Sequence, residues 1–141
     1  MVLTFVMGTS EFMIMGILPD IARGLDVEYT MVGGLVSLYA LSYAVFTPTL
    51  SALFGKFNRY RVLIASAILF TVSDIWTLVA TGYTSMALSR VMTAATSGIL
   101  FSVSLAFVVD LVPQESRAAS LAWMYASFNV SSIVGVPVGT V

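Results

Sequence analysis

Three charged side chains interrupt apolar stretches of this 141-residue chain: Glu11 in GTSEFMIMGILPD, Asp74 in VSDIW and Arg90 in LSRVM. Two carboxylates and a guanidinium in such surroundings can do two kinds of chemistry. They can form an ion pair or triad that only ties helices together. Alternatively, a carboxylate can take up and release a proton or cation as the guanidinium leaves and approaches. At the centre of a membrane helix each charge costs about 2.5–3.5 kcal/mol on insertion scales, which disfavours accidental placement and makes function the default reading. Arg90 has a third option, since its long stem can carry the charge to a nearby interface.

The elements that must position these groups follow from composition. Hydrophobic residues make up 59% of the chain and charged residues 9%. Its mean hydropathy is +1.00. A soluble domain carries about 25% charged residues, so this chain has too little polar surface to coat a globule and belongs in a bilayer. Five spans near the ~20 residues a membrane requires are readable at about 1–18, 31–54, 62–80, 86–109 and 121–141. The predicted fold class is an all-α membrane protein. The joints PDIARGLDVEYT, GKFNRYR, TGYTS and DLVPQESRAAS hold the Pro, Gly, Asp and Ser expected of breakers.

Helix rise then sets depth. Glu11 falls roughly 10 Å inside the outer end of its helix, Asp74 roughly 9 Å and Arg90 roughly 6 Å, a single layer in which Arg90 can reach either acid. Lys56, Arg59 and Arg61 in the second joint and Arg117 in the fourth face Arg23 alone in the first. The excess of basic residues predicts that the second and fourth joints, and with them the N-terminus, are cytoplasmic. Along the second span Gly33, Ser37, Ala40, Ala44, Thr47 and Ser51 form a stripe of small residues. Such a stripe suits close helix packing, or a sliding or pore-lining face.

Several function classes drop out. A net charge of −1 offers no basic surface to nucleic acid. The chain has neither Cys nor His, which removes thiol and imidazole chemistry and nearly all transition-metal sites, and no cofactor is expected. There is no GxSxG and no evident base for a serine nucleophile, so an intramembrane hydrolase is not supported and the chain is not read as an enzyme. The first span is a poor signal peptide, because no basic residue precedes it and Glu11 lies within it.

The stretches GTSEFMIMGILPDIA and GGLVSLYALSYAVFTPTL, followed in order by RVLIASAILF, SRVMTAATSG, DLVPQESRAASLA and GVPVGT, resemble the major facilitator superfamily. The nearest branch is that of bacterial twelve-helix drug:H+ antiporters and related sugar or nucleoside efflux proteins. The resemblance runs colinearly over essentially the whole chain. It implies the first part of a six-helix N-terminal half, in a transporter that alternates access around a central cavity in the bacterial inner membrane. Small organic molecules and protons would be its partners, with the lipid bilayer around it. Glu11 matches the acidic position in the first helix, Arg90 the fourth-helix arginine associated with proton coupling, and Gly98 the glycine closing that motif. Asp74 joins them as a third candidate for proton coupling.

SALFGKFNRYRVL matches the signature between helices two and three, with Lys56, Arg59 and Arg61 at its basic positions. The signature's acid falls on Gly55 and its first glycine on Ser51, while Asp110 could still attract Lys56 or Arg59. The fifth span resembles the antiporter motif through Gly135, Pro137 and Gly139, though Val136 separates the usual Gly-Pro pair. Those residues could equally serve a bend or tight packing alone. Tyr39, Tyr43, Ser97, Phe101 and Asn129, with Tyr125 and Ser132 beside them, are candidates to line a substrate cavity or simply to pack. The chain is expected to be an N-terminal fragment that stops inside helix five and needs the C-terminal helices for activity. The alternative is a small membrane protein that does not transport, or an inactive truncated gene product.

Overall fold

The computed structural model describes residues 1–140; Val141, the last residue of the expected fifth span, lies outside the described residues. Among the described residues all regular structure is helical, with no strand. The helices are α1 (Val2–Gly24), α2 (Tyr29–Phe54), α3 (Arg59–Val79), α4 (Tyr83–Leu111) and α5 (Arg117–Thr140), with one 3-10 turn at Gln114–Ser116. Each of the five segments is long and apolar enough to cross a bilayer. The fold is therefore that of an all-α, multi-pass membrane protein.

Local chemistry carries the helices beyond their apolar windows. α1 runs through Pro19, where a stop was expected, and ends at Gly24. Proline costs it one backbone hydrogen bond, and an exposed Asp20–Arg23 ion pair of 3.4 Å lies along this polar end. In the turn that follows, Asp26 has φ 51°, a left-handed conformation that a short polar side chain tolerates. α3 starts at Arg59 because the Asn58 side chain accepts the Tyr60 N–H at 3.1 Å, filling one of the donors a helix start leaves open. At the other end of the chain, Arg117 Nε donates to the Val112 carbonyl at 3.2 Å just beyond α4.

The chain forms two compact units, one of residues 1–29 with the stretch from Phe107 onward, the other of residues 30–106. In the first, α1 and α5 run parallel at a fixed offset. A β-carbon on Gly8 would strike Ser131, and one on Gly16 would come within 2.5 Å of the Val136 carbonyl and 3.0 Å of Gly139 Cα. Gly135 lies between, within reach of Thr9 O and Phe12 Cβ, each 3.0 Å from where its β-carbon would sit. Hydrocarbon gives helices no solvent-driven reason to associate, so close backbone approach at small residues supplies the attraction.

In the second unit α2 and α4 run parallel and α3 antiparallel to them. Tyr83 at the start of α4 donates to Met31 O near the start of α2, while Thr77 near the end of α3 meets Ser89. α4 is the most buried helix, with Ser89, Arg90, Thr93, Ala94 and Thr96 through Leu100 all enclosed. Its buried hydroxyls mostly bond back to its own carbonyls, Thr93 to Ser89 O at 2.9 Å and Ser104 to Leu100 O at 2.7 Å. Polar side chains can then enter an apolar core without leaving donors bare.

Candidate functional site

Arg90 is buried, with 5% of its surface exposed, so it does not snorkel to the interface. Its neighbours lie on the antiparallel helix α3. Arg90 Nη2 donates to Thr77 Oγ1 at 2.8 Å and lies 4.0 Å from Asp74 Oδ1. Asp74 and Thr77 are three residues apart, which puts them on one helix face. Thr77 Oγ1 is also bonded to Ser73 O at 3.0 Å and shares 3.1 Å with Ser89 Oγ, and Ser89 in turn donates to Met86 O at 2.7 Å. The guanidinium thus ends a chain of hydroxyls that crosses from α4 to α3 and back. The acid beside it is one-quarter exposed, so the pair is enclosed more tightly from the arginine side.

About two helical turns beyond Arg90, Tyr39 of α2 and Ser97 of α4 share a 2.9 Å hydrogen bond. The Tyr39 and Tyr43 rings stack with centroids 6.1 Å apart and an interplanar angle of 28°. Phe101 lies one turn after Ser97 and is half-buried. Four of the five cavity candidates therefore belong to one α2–α4 neighbourhood. Asn129 belongs to α5, is exposed, and donates to Tyr125 O of its own helix at 2.8 Å. Glu11 is half-buried on α1, next to Phe12, whose ring meets that of Phe128 at 5.7 Å.

The motif glycines have physical reasons here. Gly98 lets α2 come in so closely that an added β-carbon would collide with Thr47 Oγ1 and stand 3.2 Å from Thr47 Cα. Gly135 and Gly139 bring α5 against α1, and α5 continues as a helix through Pro137. Gly55 and Lys56 in the loop between α2 and α3, and Arg61 in the first turn of α3, are exposed, and Arg59 Nη1 at the start of α3 reaches Ala106 O at 3.5 Å. Asp110 is exposed in the last turn of α4.

The small-residue stripe of α2 is not the continuous packing face that its periodicity suggests. Gly33 has open space where a side chain would be, and Ser37, Ala40 and Ala44 are exposed. At its far end the Thr47 and Ser51 hydroxyl oxygens are buried. Thr77, Gly8 and Gly16 were not singled out from sequence, and Thr47 only as one of the small residues of the α2 stripe. The i, i+3 spacing of Asp74 and Thr77, and the Gly8–Gly16 repeat opposite Ser131, Gly135 and Gly139, were the signals available.

A multi-pass helical protein that buries an arginine beside an acid within its spans is the class defined so far. The chain belongs to the Major Facilitator Superfamily, whose family description matches residues 1–141. It is 34% identical over 136 residues to the inner membrane transport protein YdhP of Escherichia coli K12, covering 96% of this chain and 35% of that protein. It is 32% identical over 140 residues to YfhI, an MFS-type transporter of Bacillus subtilis, covering 99% and 35%. YtbD, another MFS-type transporter of Bacillus subtilis, is 32% identical over 136 residues, covering 96% and 34%. The chain thus spans about a third of the length of these curated relatives. The relatives' names are those of transport proteins, not of enzymes.

Proposed function

We propose that this chain is the N-terminal part of a proton-coupled efflux transporter for small organic molecules in a bacterial inner membrane, with its N-terminus in the cytoplasm. The observation that carries the reading is Arg90, buried within the spans, 4.0 Å from Asp74 and hydrogen-bonded to Thr77. Breaking such a buried charge pair leaves one member uncompensated in a low-dielectric interior, which is strongly unfavourable. In the proposed cycle Asp74 holds the guanidinium at rest, and Glu11 is the carboxylate that takes a proton when the cation is away and returns it when the cation approaches. Coupled to alternating access, that exchange drives export. Tyr39, Tyr43, Ser97 and Phe101 supply part of the substrate wall, with Asn129 as a polar candidate from α5. The helices of the other half complete the cavity and are required for activity, since alternating access needs two halves moving about a midplane site. Family membership, and a relative named as an inner membrane transport protein, support this reading.

The test uses the complete gene product in proteoliposomes with an imposed pH gradient. Accumulation of a panel of organic cations, sugars and nucleosides should follow the gradient and vanish in Glu11→Gln. Transport that is indifferent to both the gradient and Glu11 would remove proton coupling from the proposal. No transport of any compound by correctly folded protein would favour a non-transporting membrane protein.

A further inference from the structure

In the second unit a crevice of about 300 Å³ runs along α3 from Asn58 to Leu69, a length of roughly 16 Å at 1.5 Å per residue. Its floor is formed by Ser66, Thr96 and Ile99, all buried. Both floor hydroxyls are turned into their own helices. Ser66 Oγ donates to Val62 O at 2.7 Å and Thr96 Oγ1 to Met92 O at 2.9 Å, so what the floor presents is apolar. Phe54, Val62, Ala65 and Leu69 make the walls. Polar capacity collects at one end, where Arg61 and Asn58 line the mouth with Phe57. Asn58 uses its carbonyl oxygen on the Tyr60 N–H, which leaves its amide N–H groups as donors. Arg61 makes no hydrogen bond or ion pair among the described residues.

That end has more positive charge than its own element can balance. Lys56 and Arg61 stand at the N-terminus of α3, whose first turn has no acid. A helix N-terminus carries partial positive charge itself, so cations there repel it. An anion from outside the element removes the conflict. A free phosphate would satisfy Arg61 but leave the apolar crevice unfilled. A hydrocarbon chain alone would fill the crevice and ignore the mouth. We infer that this crevice is a binding site for an anionic phospholipid, its acyl chain lying along Leu69, Ala65 and Ile99 and its phosphate at Arg61 and Asn58. Basic pockets between membrane helices near the headgroup level recognise lipids by this combination.

The experiment takes the complete gene product in neutral detergent and titrates it with phosphatidylglycerol, phosphatidylcholine or soluble glycerol phosphate, following bound lipid by native mass spectrometry. Phosphatidylglycerol should bind best, and Arg61→Gln should weaken it about fivefold, the effect of one basic residue near a membrane surface. Ala65→Phe should displace the lipid by filling the crevice. Arg61 is exposed, so its substitution keeps the fold even if Ala65→Phe does not. Equal binding of phosphatidylglycerol and phosphatidylcholine, or unchanged binding in Arg61→Gln, overturns the proposal. So does glycerol phosphate competing as well as the intact lipid. A photoreactive benzoylphenylalanine replacing Leu69 should capture lipid in native membranes. Capture of another segment of the same protein, or of a second copy, would make the crevice a protein contact and refute the lipid site.

Discussion

The guanidinium of Arg90 and the hydroxyl of Thr77 meet at 2.8 Å where α4 lies against α3. Thr77 passes that contact on to Ser73 O and Ser89 Oγ. The arginine is therefore held from α3 by two different groups, a carboxylate that balances its charge and a hydroxyl that fixes one of its donors. Only the first could change protonation in a transport cycle. Thr77 is a positioning residue.

Replacing Thr77 by Val keeps the shape and removes the acceptor. Leaving a buried donor unsatisfied costs about 1–3 kcal/mol, and more for a charged group. Thermal unfolding of the complete protein in detergent should shift down by several degrees. Thr77→Ser, which keeps the oxygen, should recover most of the loss. Equal midpoints for Thr77→Val and wild type would mean that Arg90 finds its support elsewhere.

Gly98→Ala should damage the α2–α4 contact, because the new methyl collides with Thr47 Oγ1 and sits 3.0 Å from its β-carbon. Overpacking of this kind costs about 1–3 kcal/mol. Thr47→Ala removes the colliding oxygen, so the double variant should be more stable than the two single losses predict, by about 0.5–3 kcal/mol of coupling. Strict additivity in a thermal-unfolding cycle would show that the two residues do not meet.

The five helices were legible because 18 or more apolar residues in a row have few other uses. Their ends were less so: α3 gains Arg59, Tyr60 and Arg61 through the Asn58 side chain, and a hydropathy window does not register a cap. Glu11, Asp74 and Arg90 stood out because charge in hydrocarbon is expensive. Thr77 did not, since a hydroxyl in a membrane helix usually bonds to its own backbone, as Thr9 does to Phe5 O. Nothing in the residue type marks the one that faces across. The α2 stripe, read either as a packing face or as a sliding or pore-lining one, shows the same limit. Small size permits close packing, but a partner must be present to use it, and at Gly33 none lies within 4 Å.

The helix-five motif should act on α1. A β-carbon on Gly139 would strike Met13 O and come within 3.2 Å of Gly16 Cα. Backbone atoms cannot swing aside, so Gly139→Val should force α5 away from α1 and cost about 1–3 kcal/mol or more. Val138, its exposed neighbour, should tolerate Ala within ±0.5 kcal/mol. Comparing the unfolding midpoints of these two variants checks the contact, and similar losses in both would argue against it.

The loop between α2 and α3 offers a gain-of-charge test. A β-carbon on Gly55 would meet Ser51 O at 3.1 Å and Ala52 O at 3.7 Å, so an aspartate fits with a small adjustment. Gly55→Asp introduces an acid among Lys56, Arg59 and Arg61, where an exposed pair is worth only ~0.2–1 kcal/mol. The expected result is a modest change in transport rate with little change in expression. Single cysteines placed on either cavity face of an otherwise cysteine-free version report its facing state. Identical labelling of both faces in the two versions would exclude Gly55 as a gate element.

The proton carrier can be assigned by separating the two acids. Asp74 lies 4.0 Å from Arg90 and shares that cation with Thr77, an arrangement suited to holding the arginine at rest. Glu11 is half-buried on α1 and is the acid proposed to load and unload. Substrate added to the purified complete protein in weak buffer should release protons if exchange operates, and a pH series should give a maximum in that release. Glu11→Gln keeps the side-chain shape and should abolish release while leaving substrate binding. Asp74→Asn should lower the unfolding midpoint, because a buried guanidinium loses its counter-charge, yet preserve release from the protein that remains folded. Arg90→Lys keeps the charge but not the planar fork that addresses Thr77 and Asp74 together, so partial release is expected. Full release from Glu11→Gln, with none from Asp74→Asn, would move the carrier to α3 and make the Arg90–Asp74 pair itself the switch.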